Sequence, residues 1–383
     1  MQTPLPHFRK ILLLGAEPAS LINFRGPLIK HLLALGYEVH VAAKQASVEQ
    51  VAVLANMGVA FHAVPFVRAG MNPFRDGVTG VALYKLFKAL RPDAVISYTS
   101  KPVIYGSLAA HMAGVPHIVA MVTGLGYSFI DGLERKRKFA KWVSSLFYGF
   151  ALPRCARVLF QNPDDRADFE KLGLLCRVRN VAVVNGSGVD TDYFSPSPLP
   201  AKPAFLVIAR LLADKGVREF AEAVAEIKTQ LPEVEFRLLG GLDPSPNGVT
   251  EAEVQSWVAQ GIVYLGETKD VRPVIAAASV IVLPSYREGT PRSVLEGMAM
   301  GRAIITTDVP GCRETVVDGV NGLLVPVRDA KALAAAMLAL VRDPAQVTRM
   351  GEASRRIAVE KYRAEVVAQD TARKAGLYGD ALG

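Results

Sequence analysis

Cysteine is scarce in this chain. Cys155, Cys176 and Cys312 form no Cys-x-x-Cys pair, and three scattered thiols build neither a disulfide framework nor a thiolate metal site. That usage fits a reducing cytosol. Phenylalanine and tyrosine are spread out and not interleaved with arginine, which argues against a nucleic-acid partner. Long apolar runs are missing too. No stretch reaches the roughly 18 residues of a membrane-spanning helix, and the run at 11–14 stops at Gly15, too short for a signal-peptide core. What is present is a half-hydrophobic, 21% charged chain of 383 residues, a globular composition with enough length for two cores.

Charge is distributed unevenly. Residues 1–190 hold 22 Lys and Arg against 12 Asp and Glu, a net +10, whereas residues 191–383 hold 22 against 24, a net −2. A basic first half points to anionic partners such as phosphates or a lipid surface.

Short apolar runs at 11–14, 39–43, 94–97, 118–121, 158–160 and 181–184 alternate with helical patterns such as 26–35 and 80–90. Buried parallel strands read in this way, so the first half is expected to be a doubly wound α/β domain. The pattern breaks at NGSGVDTDYFSPSPLPAKPAF, whose four prolines mark a linker. It restarts with runs at 204–209, 235–239, 262–265, 280–283, 303–306 and 322–325. Two Rossmann-like domains facing a central cleft are therefore expected, with boundaries at 1–190, 191–203 (linker), 204–360 and 361–383. A closing helix over 352–368 is expected to pack back on the first domain.

The stretch REGTPRSVLEG separates Glu288 and Glu296 by seven residues. Gly289 and Pro291 place a helix start between them, so Glu288 belongs to the loop and Glu296 to the second turn. A helix N-terminus is a seat for phosphate, and a glycine lets backbone approach a ligand closely. Upstream, PAFLVIAR runs into LLADKG and brings Arg210 and Lys215 to one strand end. Two cations there can neutralise a diphosphate. Each motif alone also fits an ordinary βα loop.

Together they resemble glycosyltransferase family 4, the retaining GT-B enzymes that use nucleotide-sugars. PSYREG, NGSGVD and EGMAMGRAIITTDVPGCRETVVDGVNGLLV match as well. The resemblance implies that Arg210 and Lys215 bind the donor diphosphate and stabilise the leaving charge. It implies that Glu288 contacts the transferred sugar and that Glu296 accepts from ribose hydroxyls. The backbone at Gly289, Thr290, Pro291 and Arg292 would hold phosphate, with Gly15 approaching the donor from the first domain. Asp190 and Asp192 spell the Asp-x-Asp of a metal-dependent fold, but they fall within the NGSGVDTDYF match, where the family has no metal. A turn is the reading there, and neither cofactor nor metal is expected.

In the first half, GAEPASLINFRGPL, FVRAGMNPFRDG, SYTSKPVIYGSLAAHMAGVP and TGLGYSFIDG resemble bacterial enzymes that extend undecaprenyl-diphosphate-linked sugars. Those acting on bacillosamine-diphospho-undecaprenol and their O-antigen relatives are the most similar. Arg25, Arg68 and Lys101 are candidates for the acceptor diphosphate, with solvated surface charge as the alternative. Thr123 stands where many family members carry a histidine that contacts the donor sugar.

In GLERKRKFAKWVSSLFYGF, Phe139, Val143, Leu146, Phe147 and Phe150 share a helical face with Trp142 beside them. Arg135, Lys136, Arg137, Lys138 and Lys141 sit towards the helix start. That is an interfacial pattern for an anionic membrane, although a core-facing helix also fits.

The expectation is a metal-independent retaining glycosyltransferase on the cytoplasmic face of a membrane. It would move a sugar, an N-acetylhexosamine in this reading, from a UDP-sugar to a polyprenyl-diphosphate-linked saccharide. Alternatives are a GT-B nucleotide-sugar epimerase, which needs no lipid acceptor, and a UDP-binding scaffold without turnover.

Overall fold

Thirteen strands set the framework of the computed structural model, which describes residues 8–66, 73–124 and 135–378, leaving aside the side chains of 73–75 and 135–140. The chain divides into two units, residues 1–187 with 365–383, and residues 188–364.

The first unit is built on a parallel sheet of β1 (Lys10–Leu14), β2 (Glu38–Ala43), β3 (Ala60–Ala63), β4 (Ala94–Tyr98), β5 (His117–Val122), β6 (Arg157–Phe160) and β7 (Val181–Val183), in the order β3-β2-β1-β4-β5-β6-β7. Helices cover both faces, and this explains the apolar runs. Ile11 and Leu13 enter one core, whereas Leu12 and Leu14 enter the other. Each buried side chain of this kind stabilises the fold by about 1.5–3 kcal/mol. The strand order reverses between β1 and β4, which opens the crevice where doubly wound sheets take ligands. β3 is the strand the apolar runs do not reveal. It is a part-exposed edge strand reading AFHA, with a single large apolar residue.

The second unit repeats the plan with β8 (Ala204–Ile208), β9 (Glu235–Leu239), β10 (Ile262–Tyr264), β11 (Val280–Leu283), β12 (Ala303–Thr307) and β13 (Gly322–Val325), in the order β10-β9-β8-β11-β12-β13. Its reversal lies between β8 and β11.

The proline-rich segment 191–203 packs into this second unit. Fully buried Arg302 donates to the Ser197 carbonyl and hydroxyl at 2.8 and 2.5 Å and to the Pro198 carbonyl at 3.2 Å. Arg355 donates to the carbonyls of Thr191 and Phe194. The expected closing helix is two helices, Pro344–Lys361 and Ala364–Lys374. They break where Val189 brackets Arg363, donating to the Tyr362 carbonyl at 2.8 Å and accepting from Ala364 at 2.9 Å. Beyond the break the chain enters the first unit. Ala368, Ala372 and Leu377 join its core, and His117 Nε2 lies 2.7 Å from the Ala375 carbonyl.

Two helices of the first unit matter below. Pro73–Leu90 carries Gly77 and Gly80 in its interior, where glycine costs about 1 kcal/mol against alanine. In Arg135–Ala151, Tyr148 and Ala151 are buried while Trp142, Leu146 and Phe150 are 62%, 46% and 54% exposed. The expected apolar face is therefore split, with Val143 and Phe147 half-buried between the two sides. No helix among the described residues is long and apolar enough to cross a membrane.

Candidate active site

In the second unit, three loops meet at the carboxyl ends of β8, β11 and β12. After β8 the chain runs through Arg210 into a 3-10 turn, Ala213–Lys215, and then Gly216 at φ +68°. A Cβ on Gly216 would lie 2.0 Å from the Pro284 carbonyl oxygen, so glycine permits both the left-handed turn and the contact. Tyr286 N–H donates to the Asp214 carbonyl at 2.9 Å and locks the first two loops together. The third arrives through Pro310, whose carbonyl accepts from Glu288 N–H at 3.0 Å. Gly311, at φ +83°, passes so close that a Cβ would meet the Glu288 carbonyl oxygen at 2.1 Å.

This convergence delivers Lys215 onto Glu288. The ammonium donates to Glu288 Oε1 at 2.5 Å, and the Ser285 hydroxyl donates to the same oxygen at 2.8 Å. Both side chains of the ion pair are mostly buried. Burial works to lower the Lys215 pKa, but the charge and hydrogen bond of Glu288 outweigh it, so the value ends above the usual lysine range. The Cys312 thiol, fully buried nearby, is pushed up to about 12 by burial and by Glu288. It is therefore a neutral packing group.

The other expected donor residues divide as follows. Arg210 does not share the Lys215–Glu288 contact. It is 60% exposed at the side chain and donates to Asp243 Oδ2 at 2.9 Å. Hydrogen bonds from Ser245, with help from Arg210, hold the Asp243 carboxyl below its usual range. Glu296 lies on the helix Arg292–Ala299 and accepts from Arg292 Nε at 2.7 Å. Burial raises its pKa against the pull of Arg292. Pro291 stands at the N-cap, one position before the first turn in which it was expected, and its own side chain makes no capping hydrogen bond. Gly289 and Thr290 lie between Glu288 and that end. The two glutamates thus have separate cationic partners. Ser285 and Asp243 went unnoticed in the sequence. Ser285 lies inside the matching PSYREG, while Asp243 sits in a turn with no local signal.

In the first unit, β1 ends at Gly15, and the Tyr98 hydroxyl occupies the place where its Cβ would stand, 2.2 Å away. Arg25 is 5% exposed, with its guanidinium carbon 4.5 Å from the centre of the Tyr98 ring. Its Nε has no hydrogen-bond partner among the described residues. Burial lowers the Arg25 pKa, opposed by Tyr98, and burial pushes Tyr98 up to about 12. A buried cation without a counter-ion is costly unless a ligand supplies one. Lys101 is placed differently, paired with buried Asp76 at 2.8 Å. Thr123 is half-buried just beyond β5. Arg68 and the side chains of Arg135, Lys136, Arg137 and Lys138 lie outside the described residues. At Asp190, Oδ1 accepts from the N–H groups of Asp192 and Tyr193 at 3.1 and 2.8 Å, which engages that carboxylate in a turn.

Comparison with known proteins matches residues 25–186 to the glycosyl transferase 4-like domain and residues 202–343 to glycosyl transferases group 1. The N,N'-diacetylbacillosaminyl-diphospho-undecaprenol alpha-1,3-N-acetylgalactosaminyltransferase of Campylobacter jejuni is 31% identical over 348 residues, which is 87% of this chain and 90% of that protein. The UDP-Gal:alpha-D-GlcNAc-diphosphoundecaprenol alpha-1,3-galactosyltransferase of Escherichia coli is 26% identical over 294 residues, 73% of this chain and 74% of that protein. The structure of sucrose-phosphate synthase from Thermosynechococcus elongatus superposes with a TM-score of 0.79 at 20% identity, covering 95% of this chain and 98% of that one. Two parallel α/β sheets, the clustered Lys215–Glu288 pair and these matches lead to one assignment: the chain is a GT-B glycosyltransferase and belongs to family 4, the group 1 glycosyl transferases.

Proposed function

We propose that the enzyme transfers a sugar from a UDP-sugar to a polyprenyl-diphosphate-linked saccharide, with retention at the anomeric carbon and without a metal. The sugar in this reading is an N-acetylhexosamine. The observation that carries the proposal is the Lys215–Glu288 pair at the β8/β11 switch point, supported by the acceptors named in the two bacterial relatives.

In this reading the donor diphosphate takes Lys215 from Glu288 and draws the exposed Arg210 from its partner Asp243. The bond from the anomeric carbon to the diphosphate breaks, an acceptor hydroxyl bonds that carbon on the same face, and the hydroxyl's proton passes to the departing diphosphate oxygen. The charge left on the diphosphate is met by two cations already held in place. Glu288, released from Lys215, accepts from the transferred sugar. Glu296 accepts from the ribose, and the backbone N–H groups of Gly289, Thr290 and Arg292 serve the phosphate. Arg25, whose Nε has no hydrogen-bond partner among the described residues, supplies the acceptor diphosphate with a cation. The exposed row on Arg135–Ala151, with the cations of its first turns, rests on the inner face of the cytoplasmic membrane.

The test is a panel of UDP-sugars incubated with bacterial lipid extract, read by UDP release. Release that depends on the extract, with sugar recovered on lipid, is expected. Donor conversion without lipid, or UDP binding without turnover on any extract, would overturn the proposal.

A further inference from the structure

An apolar groove of about 400 Å³ lies in the first unit, with the carboxylate of the Lys101–Asp76 pair in its lining. Helices Pro73–Leu90, Ser107–Ala113 and Arg135–Ala151 and the helical turn Pro102–Gly106 supply its walls through Val81, Tyr84, Tyr105, Leu108, Met112 and Phe147. Val81 and Met112 are exposed at its rim. The volume is that of a small-molecule site.

Gly77 and Gly80 both line this groove, and nothing among the described residues forces glycine at either place. Neither has a positive φ, and a Cβ at either would meet no described atom outside its own helix backbone within 4 Å. Alanine would strengthen the helix. The missing side chains therefore serve the space they leave open.

Charge around the groove selects the occupant. Asp76, the carboxylate in its lining, is held by Lys101 Nζ at 2.8 Å and Tyr105 Oη at 3.0 Å, so among the described lining residues no unpaired carboxylate faces the opening. The helix that brings Phe147 begins with Arg135, Lys136, Arg137 and Lys138. An apolar groove walled by a helix whose first turn is cationic in sequence suits an amphiphile with an anionic head and a slender branched tail. We propose that the groove receives the isoprenoid segment next to the diphosphate of the lipid-linked acceptor, an inference that rests on the acceptor class proposed above.

Calorimetry on the full chain, free of vesicles and detergent, compares farnesyl diphosphate with inorganic diphosphate. Farnesyl diphosphate is expected to bind roughly tenfold tighter, since burial of its tail is the difference between the two. Gly80→Leu, whose side chain fills the groove, should remove that advantage and leave UDP binding as in wild type. Gly80→Ala should weaken farnesyl diphosphate a few-fold, and it covers the case in which the leucine variant does not fold. Equal binding of both compounds by wild type, or unchanged affinity in both variants, overturns the groove. Transfer to lipid extract with a KM unmoved by either variant also overturns it, while leaving the proposed function intact. Farnesyl diphosphate bound without transfer to any lipid acceptor removes the function and supports the groove. If Gly80→Leu abolishes sedimentation with phospholipid vesicles lacking polyprenyl chains, the groove belongs to the bilayer and the proposal fails.

Discussion

Lys215 reaches Glu288 across 2.5 Å from the far side of the β8/β11 switch point, 73 residues away in sequence. Neither side chain is solvated enough to lose the other cheaply. Replacing Lys215 with methionine removes the ammonium from Glu288 Oε1, where the Ser285 hydroxyl remains. Stability should fall by about 1–3 kcal/mol, and turnover by about 100- to 1,000-fold.

The pH dependence of that pair has a definite sign. The folded pKa of Lys215 lies above the ordinary value of 10.5, so its contribution is complete below 10.5 and fades as pH rises through the folded value. Thermal melts should show an alkaline loss in wild type that the methionine variant lacks. Wild-type UDP release from Lys215→Met would sink the leaving-group role.

Arg210 gives the opposite balance. Its pair with Asp243 is exposed on the arginine side, and such pairs contribute about 0–1 kcal/mol. Arg210→Ala should melt within a degree or two of wild type, yet lose turnover on the same scale as the Lys215 variant. A variant that is stable and fully active would show that Arg210 never leaves Asp243.

These two residues also mark what could be read in advance. Arg210, Lys215, Glu288 and Glu296 were legible because strand ends and a Gly/Pro helix start are local patterns, and because the apolar runs placed those strands. Their partners were not. That Lys215 holds Glu288, and Arg210 holds Asp243, depends on loops joined only by the fold. The segment 191–203 looked like a linker because its prolines are local, whereas the arginines that bind it, Arg302 and Arg355, lie over 100 residues onward. β3 escaped because an edge strand buries too little to show an apolar run.

Glu296 should impose an acid limit on nucleotide binding. Burial lifts its pKa above the ordinary 4.5, and only the carboxylate can accept from two ribose hydroxyls. UDP affinity should be complete above the raised value and fall as pH drops through it. The free protein has the reverse linkage, since a raised folded pKa disfavours the charged form, and stability is lost as pH rises past 4.5. Glu296→Gln should therefore melt at or above the wild-type temperature at neutral pH, bind UDP more weakly, and show a flat acid profile by calorimetry. A glutamine variant with wild-type affinity and the same acid limb would remove Glu296 from the ribose.

Arg25 should be a liability in the free protein. Its guanidinium is buried against Tyr98 with Nε unpartnered among the described residues, and replacing buried charge with an apolar chain of similar volume is often neutral or stabilising. Arg25→Met should hold or raise the melting temperature, each kcal/mol recovered being worth about 2–4 °C in a domain of this size. The same variant should raise KM for the lipid acceptor and leave UDP binding alone. A lower melting temperature with unchanged acceptor KM would make Arg25 a structural residue only.

The helix Arg135–Ala151 separates packing from surface binding within a few residues. Tyr148 is buried beside Phe169, with ring centres 5.0 Å apart, so Tyr148→Ala should cost about 3 kcal/mol or more, as for other large aromatic truncations. Trp142, Leu146 and Phe150 recur every four residues on the exposed side. Replacing all three with alanine removes little internal contact, and each change should stay within about 0.5 kcal/mol. If that row lies in a membrane interface, the triple variant folds as wild type but no longer sediments with anionic vesicles. Changing Arg135, Lys136, Arg137, Lys138 and Lys141 to glutamine should weaken sedimentation by a different route, at about 1 kcal/mol per cation near the surface. Added salt should mimic the glutamine variant and spare the apolar contribution. Vesicle binding that survives both sets of changes would place the membrane contact elsewhere on the chain.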